Sequence, residues 1–353
     1  MKAFVMQKIG HVGLMDKPIP EPGPDEALVR TVAALICTSD THTVAGAIGE
    51  RENITLGHEA VGIVEKTGPL VTSVKPGDRV AVNAITPCYT CPNCLRGYSS
   101  QCTGMLGGWK FANVKDGIMA EFFLVNNAQA NLALIPDDLP DEQAVYCCDA
   151  ISTGLMGAEH ARIPIGGSVA VFAQGPVGLM ATAGSRLLGA GLVIAVESVP
   201  NRRDLARHYG ADVVIDHTQT DPVEEIKSLC PNPGADPGVD SAIEALGSQV
   251  TLEACVRATR AGGTISNTGY YGQGDYLKIP RIDWGVGMSD KTIRTGLCPG
   301  GKERMHRLFT LILNKRIDPS PMTTHRFPFD QIEHAFRMMQ NKEDNIIKPL
   351  ITF

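Results

Sequence analysis

Four cysteines stand at a spacing that can wrap one metal ion: Cys88-x2-Cys91-x2-Cys94-x7-Cys102. Soft thiolates satisfy Zn²⁺ in a tetrahedron without demanding d-electron geometry, so structural zinc is the first reading. Two others stay open. Disulfides would need an oxidising compartment, and an iron–sulfur cluster would use ferredoxin spacings that differ from this one. A closed four-thiolate shell offers no position to a substrate, so such a metal braces the chain rather than reacting. A second donor set lies upstream: Cys37 opens Cys37-Thr38-Ser39-Asp40-Thr41-His42, and His58 and Glu59 stand in Gly57-His58-Glu59-x2-Gly62. Thiolate, imidazole and carboxylate also ligate zinc, and a shell of three protein ligands keeps a fourth position for chemistry. Taken singly, His58 reads as an ordinary core or surface histidine, and Ser39 and His42 as polar loop residues. The chain reads as a protein with two metals doing different jobs.

A third constellation concerns a nucleotide. Ser168–Phe172 reads as a buried strand and runs into Ala173-Gln174-Gly175-Pro176-Val177-Gly178, with a helix expected from Pro176 to Leu188. The dinucleotide fingerprint wants one glycine for a tight turn, one for approach of the pyrophosphate and one for helix–strand packing. Gly175 and Gly178 supply the last two, and Ala173 takes the place of the first. Glu197 follows Gly178 by 19 positions, at the end of the second strand, where a carboxylate can accept hydrogen bonds from the adenosine ribose. A 2′-phosphate at ~4 Å from it would be repelled by ~4 kcal/mol per charge pair at an effective dielectric of ~20. That sign favours NAD over NADP, although Arg202 and Arg203 could each swing toward a phosphate, and Arg202 could instead contact the ribose.

The elements that must position these residues change character along the chain. Up to about residue 150, short β-like runs such as Lys2–Met6, Ala27–Val32, Ala60–Glu65 and Arg79–Val82 alternate with Gly and Pro, which suggests a β-barrel-like domain with functional loops. From Thr153 onward strands and helices alternate: strands at Val193–Val196, Val213–Ile215, Val239–Glu244 and Thr264–Asn267, and a helix at Arg202–Tyr209. Such alternation predicts an α/β domain with a doubly wound parallel sheet. The tail returns with helices at Arg304–Asn314 and near Phe329–Gln340, then a strand at Lys348–Thr352 that completes the first domain.

With these motifs in this order, the chain resembles the zinc-dependent medium-chain alcohol dehydrogenases over essentially its whole length. The resemblance rests on Gly57-His58-Glu59-x2-Gly62-x5-Gly68-x2-Val71, the cysteine quartet and the nucleotide turn. It implies a GroES-like β-barrel catalytic domain over 1–152 and 297–353 and a Rossmann domain over 153–296. It also locates a third ligand in Cys147-Cys148-Asp149-Ala150-Ile151-Ser152-Thr153-Gly154: Asp149, four before Thr153, where most of the family has Cys. A Cys37, His58, Asp149 shell is similar to the microbial secondary-alcohol branch. Glu59 is then a conditional ligand or a carboxylate just behind the shell. By the same resemblance Ser39 and His42 relay the proton by way of the cofactor ribose. Thr153, Gly175, Pro176, Val177, Gly178, Glu197, Arg202, Thr268 and Gly269 bind cofactor, and Ala84, Ile85, Leu106, Trp109, Tyr270 and Leu297 line the substrate pocket. The implied reaction is reversible oxidation of secondary alcohols to ketones with NAD, using two zinc ions per chain in a homotetramer. The other readings are a polyol or threonine dehydrogenase of the superfamily, or a zinc-free relative that binds rather than catalyses.

Bulk properties fit a soluble enzyme. At 353 residues, two domains are the natural expectation. A net charge of −6 argues against nucleic acid or an anionic membrane as partner. No apolar stretch approaches bilayer length and no secretory leader precedes Lys2, so a reducing cytoplasm is expected.

Overall fold

The computed structural model describes residues 1–104, 111–272 and 274–353. It divides into two units: Met1–Ser152 with Cys298–Phe353, and Thr153–Leu297. Leu297, expected in the first unit, falls in the second because it trails the edge strand Thr292–Thr295 by two residues.

In the first unit the main sheet runs Thr323–Pro328, Lys348–Thr352, Ala27–Leu35, Ala60–Thr67, Arg79–Val82 and Leu132–Leu134, with Phe122–Val125 also paired to Ala27–Leu35. Apart from the parallel pair at the Thr323–Pro328 edge, these ladders are antiparallel. The long central pair Ala27–Leu35 and Ala60–Thr67 slips register at Leu28/Val29 and again at Thr31/Ala33. Such bulges bend a strand and increase its twist, which curves the sheet around its core. That core holds Phe4, Val29, Ile36, Leu56, Val64, Phe123 and Phe336. A three-stranded sheet of His11–Asp16, Lys2–Lys8 and Ile54–Thr55 adds to it, and Phe4 meets Phe336 of the helix Ile332–Asn341 with ring centroids 5.3 Å apart.

The second unit is a six-stranded sheet in the order Val213–Ile215, Leu192–Val196, Ser168–Phe172, Val239–Glu244, Thr259–Asn267, Thr292–Thr295. Every pair in it is parallel. This is the 3-2-1-4-5-6 order of the dinucleotide-binding fold, with its switch point beside the first strand. Apolar side chains on both faces explain the uninterrupted Val-Ala-Val-Phe run: Ala170 and Phe172 join one core cluster, Val169 and Val171 the other.

Candidate active site and metal centres

Cys37 caps the helix Thr38–Val44, and the cap is reciprocal: Oδ2 of Asp40 accepts the Cys37 N–H at 2.8 Å. The other oxygen of the same buried carboxylate lies 3.3 Å from Nδ1 of His58. Asp40 therefore orients two candidate ligands at once, leaving Nε2 of His58 to face a metal. That nitrogen is 3.4 Å from Oδ2 of Asp149 and 3.5 Å from Oγ of Ser39. One donor atom from each of Cys37, His58, Glu59 and Asp149 lies within 4.8 Å of the others. Burial disfavours charge on His58, yet Asp40 and Asp149 outweigh it and raise the imidazole well above its usual range. A cluster that pulls a proton onto a buried histidine is short of a cation, and a sulfur, nitrogen and oxygen donor set suits zinc.

Glu59 is also fully buried, and its Oε2 is bonded to Nζ of Lys348 from the last strand. Burial raises the Glu59 carboxyl, while Lys348 acts in the opposite direction. Burial would lower the Lys348 amine, but the surrounding Cys37, Glu59 and Asp149 raise it. His42 lies on the Cys37 helix, with its pKa lowered by burial and by Lys342. Ala84 and Ile85 are buried just beyond the strand Arg79–Val82. The Ala84 N–H donates to the Cys148 carbonyl at 3.0 Å, next in sequence to Asp149.

The four-cysteine lobe carries the second donor set, again with one sulfur from each of Cys88, Cys91, Cys94 and Cys102 within 4.8 Å of the others. Sulfurs 3.4 Å apart for Cys88–Cys102 and 3.9 Å for Cys91–Cys102 bracket the ~3.8 Å edge of a zinc tetrathiolate with Zn–S near 2.3 Å. Backbone N–H groups of Cys91, Thr103 and Gly104 point at sulfurs at 3.3, 3.4 and 3.3 Å. Such donors favour thiolate, and the Cys91 thiol is held down to about 5 by the backbone of Cys94 and Thr103. Burial pushes Cys94 up to about 12, a cost that a metal would reverse.

In the second unit the turn after Ser168–Phe172 has the expected shape with one surprise. Ala173, in the place of the first glycine, adopts φ 73°, the left-handed conformation that glycine tolerates best. A Cβ on Gly178 would sit 1.9 Å from the Ala173 carbonyl, so this position admits only glycine. Gly175 caps the helix Pro176–Leu187, and a Cβ there would meet nothing within 4 Å. The missing side chain leaves open space at a helix N-terminus, as a pyrophosphate requires. Pro176 and Val177 form the first turn of that helix. Thr153 is buried in the helix Ala150–Ala161. Thr268 and Gly269 both direct their N–H groups to the Glu244 carbonyl, and Tyr270 follows them, 46% exposed. Leu106 and Trp109 lie outside the described residues.

Sequence reasoning missed Asp40, Lys348 and Glu244. Asp40 had a local signal, an acid three residues after the helix cap. Lys348 lies 289 positions from Glu59, and no local pattern announces such a pair. The Glu244 carboxylate accepts from the N–H groups of Leu246 and Gly247 and from the hydroxyls of Thr251 and Tyr271. It thereby fixes the loop that carries Thr268 to Tyr270.

A sulfur–nitrogen–oxygen metal cluster in one unit and a dinucleotide turn in the other define a metal- and nucleotide-dependent oxidoreductase. The chain belongs to the zinc-dependent medium-chain alcohol dehydrogenase family, in the branch of the isopropanol dehydrogenases. The family described as "Alcohol dehydrogenase GroES-like domain" matches residues 23–137, and "Zinc-binding dehydrogenase" matches residues 176–313. The chain is 50% identical to the NADP-dependent isopropanol dehydrogenase of Thermoanaerobacter brockii over 99% of both chains. It is 47% identical to that of Entamoeba histolytica, over 99% of this chain and 95% of the relative. Among solved structures, alcohol dehydrogenase TADH from Thermus sp. ATN1 superposes with a TM-score of 0.89 at 30% identity, covering 100% of both chains.

These relatives overturn the preference for NAD. The proteins from Thermoanaerobacter brockii, Entamoeba histolytica and Clostridium beijerinckii, at 44–50% identity, are all named as NADP-dependent. The Glu197 carboxylate is not a bare charge facing the cofactor. In the structure it is 6% exposed and accepts N–H groups from Gln174 at 2.9 Å, Ser198 at 2.8 Å and Val199 at 3.0 Å. Arg202 lies 4.0 Å from it and offsets its charge, whereas Arg203 is engaged with Asp216 at 2.7 Å.

Proposed function

We propose that this protein is a zinc-dependent dehydrogenase that reversibly oxidises secondary alcohols to ketones with NADP. The observation that carries this reading is the Cys37–His58–Asp149 cluster, with Asp40 bridging two of its members. When bound, zinc supplies Lewis acidity to the substrate oxygen and the nicotinamide accepts the hydride. Cys37, His58 and Asp149 are the residues that would hold that zinc. Glu59 is the donor of the set with a competing cation, Lys348.

In this reading Ser39 takes the hydroxyl proton, which the 3.5 Å separation of its Oγ from Nε2 of His58 supports. His42, three residues on along the same helix, is the terminal acceptor of this reading. Burial and Lys342 lower its pKa, which favours the neutral imidazole that this role starts from. Ala84 and Ile85 supply an apolar wall without polar groups to recognise a polyol. Gly175 through Gly178, with Thr268 and Gly269, hold the dinucleotide, and Arg202 is the cation beside Glu197 that can meet a 2′-phosphate. Cys88, Cys91, Cys94 and Cys102 would hold the second zinc.

A homotetramer in a reducing cytoplasm belongs to this reading. The sheet edge Thr292–Thr295, together with exposed Tyr276, Ile282, Val286 and Met288, supports self-association. Among the described residues no helix is long and apolar enough to cross a membrane. Initial rates on 2-propanol, sorbitol and threonine with NADP and with NAD test the reading. Turnover of 2-propanol with NADP supports it, and turnover of only the polyol or amino acid refutes it.

A further inference from the structure

The cysteine lobe does more than brace itself. Tyr89, directly after Cys88, holds φ 57°, a conformation that aromatic residues rarely adopt. Its hydroxyl donates to the Gly300 carbonyl at 3.0 Å. The segment it reaches fits only because it lacks side chains. A Cβ on Gly301, itself at φ 94°, would come within 1.7 Å of the Tyr89 oxygen. A Cβ on Gly300 would come within 2.2 Å of the Ile85 carbonyl. Gly300 and Gly301 are therefore held between the lobe and the wall that Ala84 and Ile85 form.

The far side of the wall is fixed as well. Oδ1 of Asn83 accepts the Ile85 N–H at 2.9 Å and the Cys298 thiol at 3.6 Å. The Ala84 N–H is held by the Cys148 carbonyl, and Asp149 comes next. A continuous path thus leads from the quartet through Tyr89, Gly300, Ile85 and Ala84 to the residue beside a candidate ligand of the reactive metal.

We propose that Tyr89 is a positioning residue: it transmits the folded, metal-filled state of the cysteine lobe to the Ala84–Ile85 wall, and so sets how tightly the alcohol is held. This rests on the reading of Ala84 and Ile85 as substrate wall. A closed thiolate shell that served stability alone would need no hydroxyl reaching into the Gly300–Gly301 turn.

The test uses Tyr89→Phe in the zinc-replete enzyme, because it keeps the ring and removes only the donor. Hydrogen–deuterium exchange over 83–87 and 298–304 should rise while zinc content stays that of the wild type. KM for 2-propanol should rise about fivefold, the equivalent of one hydrogen bond, with kcat changed less. Cys91→Ser should raise exchange over 83–87 in the wild-type background and add nothing there in the Tyr89→Phe background. Unchanged exchange over 83–87 in Tyr89→Phe overturns the proposal, as does an equal further rise from Cys91→Ser in both backgrounds. If the wild type turned over no secondary alcohol, the proposed activity would fail while the exchange comparison still decided the coupling.

Discussion

Asp40 shows how much one side chain can arrange. Its two oxygens hold the Cys37 amide and the His58 ring, so the helix cap and the ligand tautomer are set by the same group. Outer partners of this kind are worth ~10–100-fold in metal affinity or activity. Asp40→Asn should lower both by that order, measured as zinc retention on dialysis alongside kcat/KM, and full retention of both would contradict the role. A second residue bears on pH. Burial lowers the Lys115 amine to about 7, with Glu26 opposing, and it sits 3.9 Å over the Phe111 ring. In the unfolded chain the amine titrates near ~10.4, so between pH ~7 and ~10 the unfolded state binds the extra proton. This group's contribution to stability therefore rises with pH across that window. Urea midpoints at pH ~7 and ~9 should climb less in Lys115→Met than in the wild type, and parallel slopes would count against the assignment. At this scale the donors with local motifs, Cys37, His58 and the quartet, are the ones the structure brings within 4.8 Å of others of their set. Asp149 needed a family comparison, and Lys348 had no signal because its partner comes from the other end of the chain.

At the scale of elements, apolar runs bounded by turn residues gave Arg79–Val82, Ser168–Phe172, Val213–Ile215, Val239–Glu244 and Lys348–Thr352 with the bounds the structure shows. The strand expected over Thr264–Asn267 begins earlier, at Thr259, and includes Gly262-Gly263. The pair sits in a register shift of the ladder, where a Cβ on Gly263 would approach the Asp240 carbonyl to 2.7 Å. The nucleotide turn contains the opposite case, a residue where glycine would be easier. Ala173 at φ 73° carries a strain of roughly 1 kcal/mol relative to glycine. Ala173→Gly should raise the melting temperature of the unliganded protein by about a degree, and a lower one would show that the alanine methyl contributes packing that outweighs its backbone strain.

At the scale of the whole molecule, strand–helix alternation foretold the parallel-sheet part, because periodicity survives in single elements, whereas the GroES-like part came from the family resemblance. Cofactor choice did not follow from one charge. Glu197 reads differently once its three amide donors and Arg202 are in place, and those partners come from folding the turn, not from the local sequence. The central claim is that this fold brings a reactive zinc to secondary alcohols, and the comparison of kcat/KM for 2-butanol and 1-butanol with NADP tests it most directly. The account predicts a preference for 2-butanol of at least about tenfold, and a rate on 2-butanol that falls steeply in Asp149→Asn. Equal or better use of 1-butanol, or a rate on 2-butanol untouched by that substitution, would contradict it.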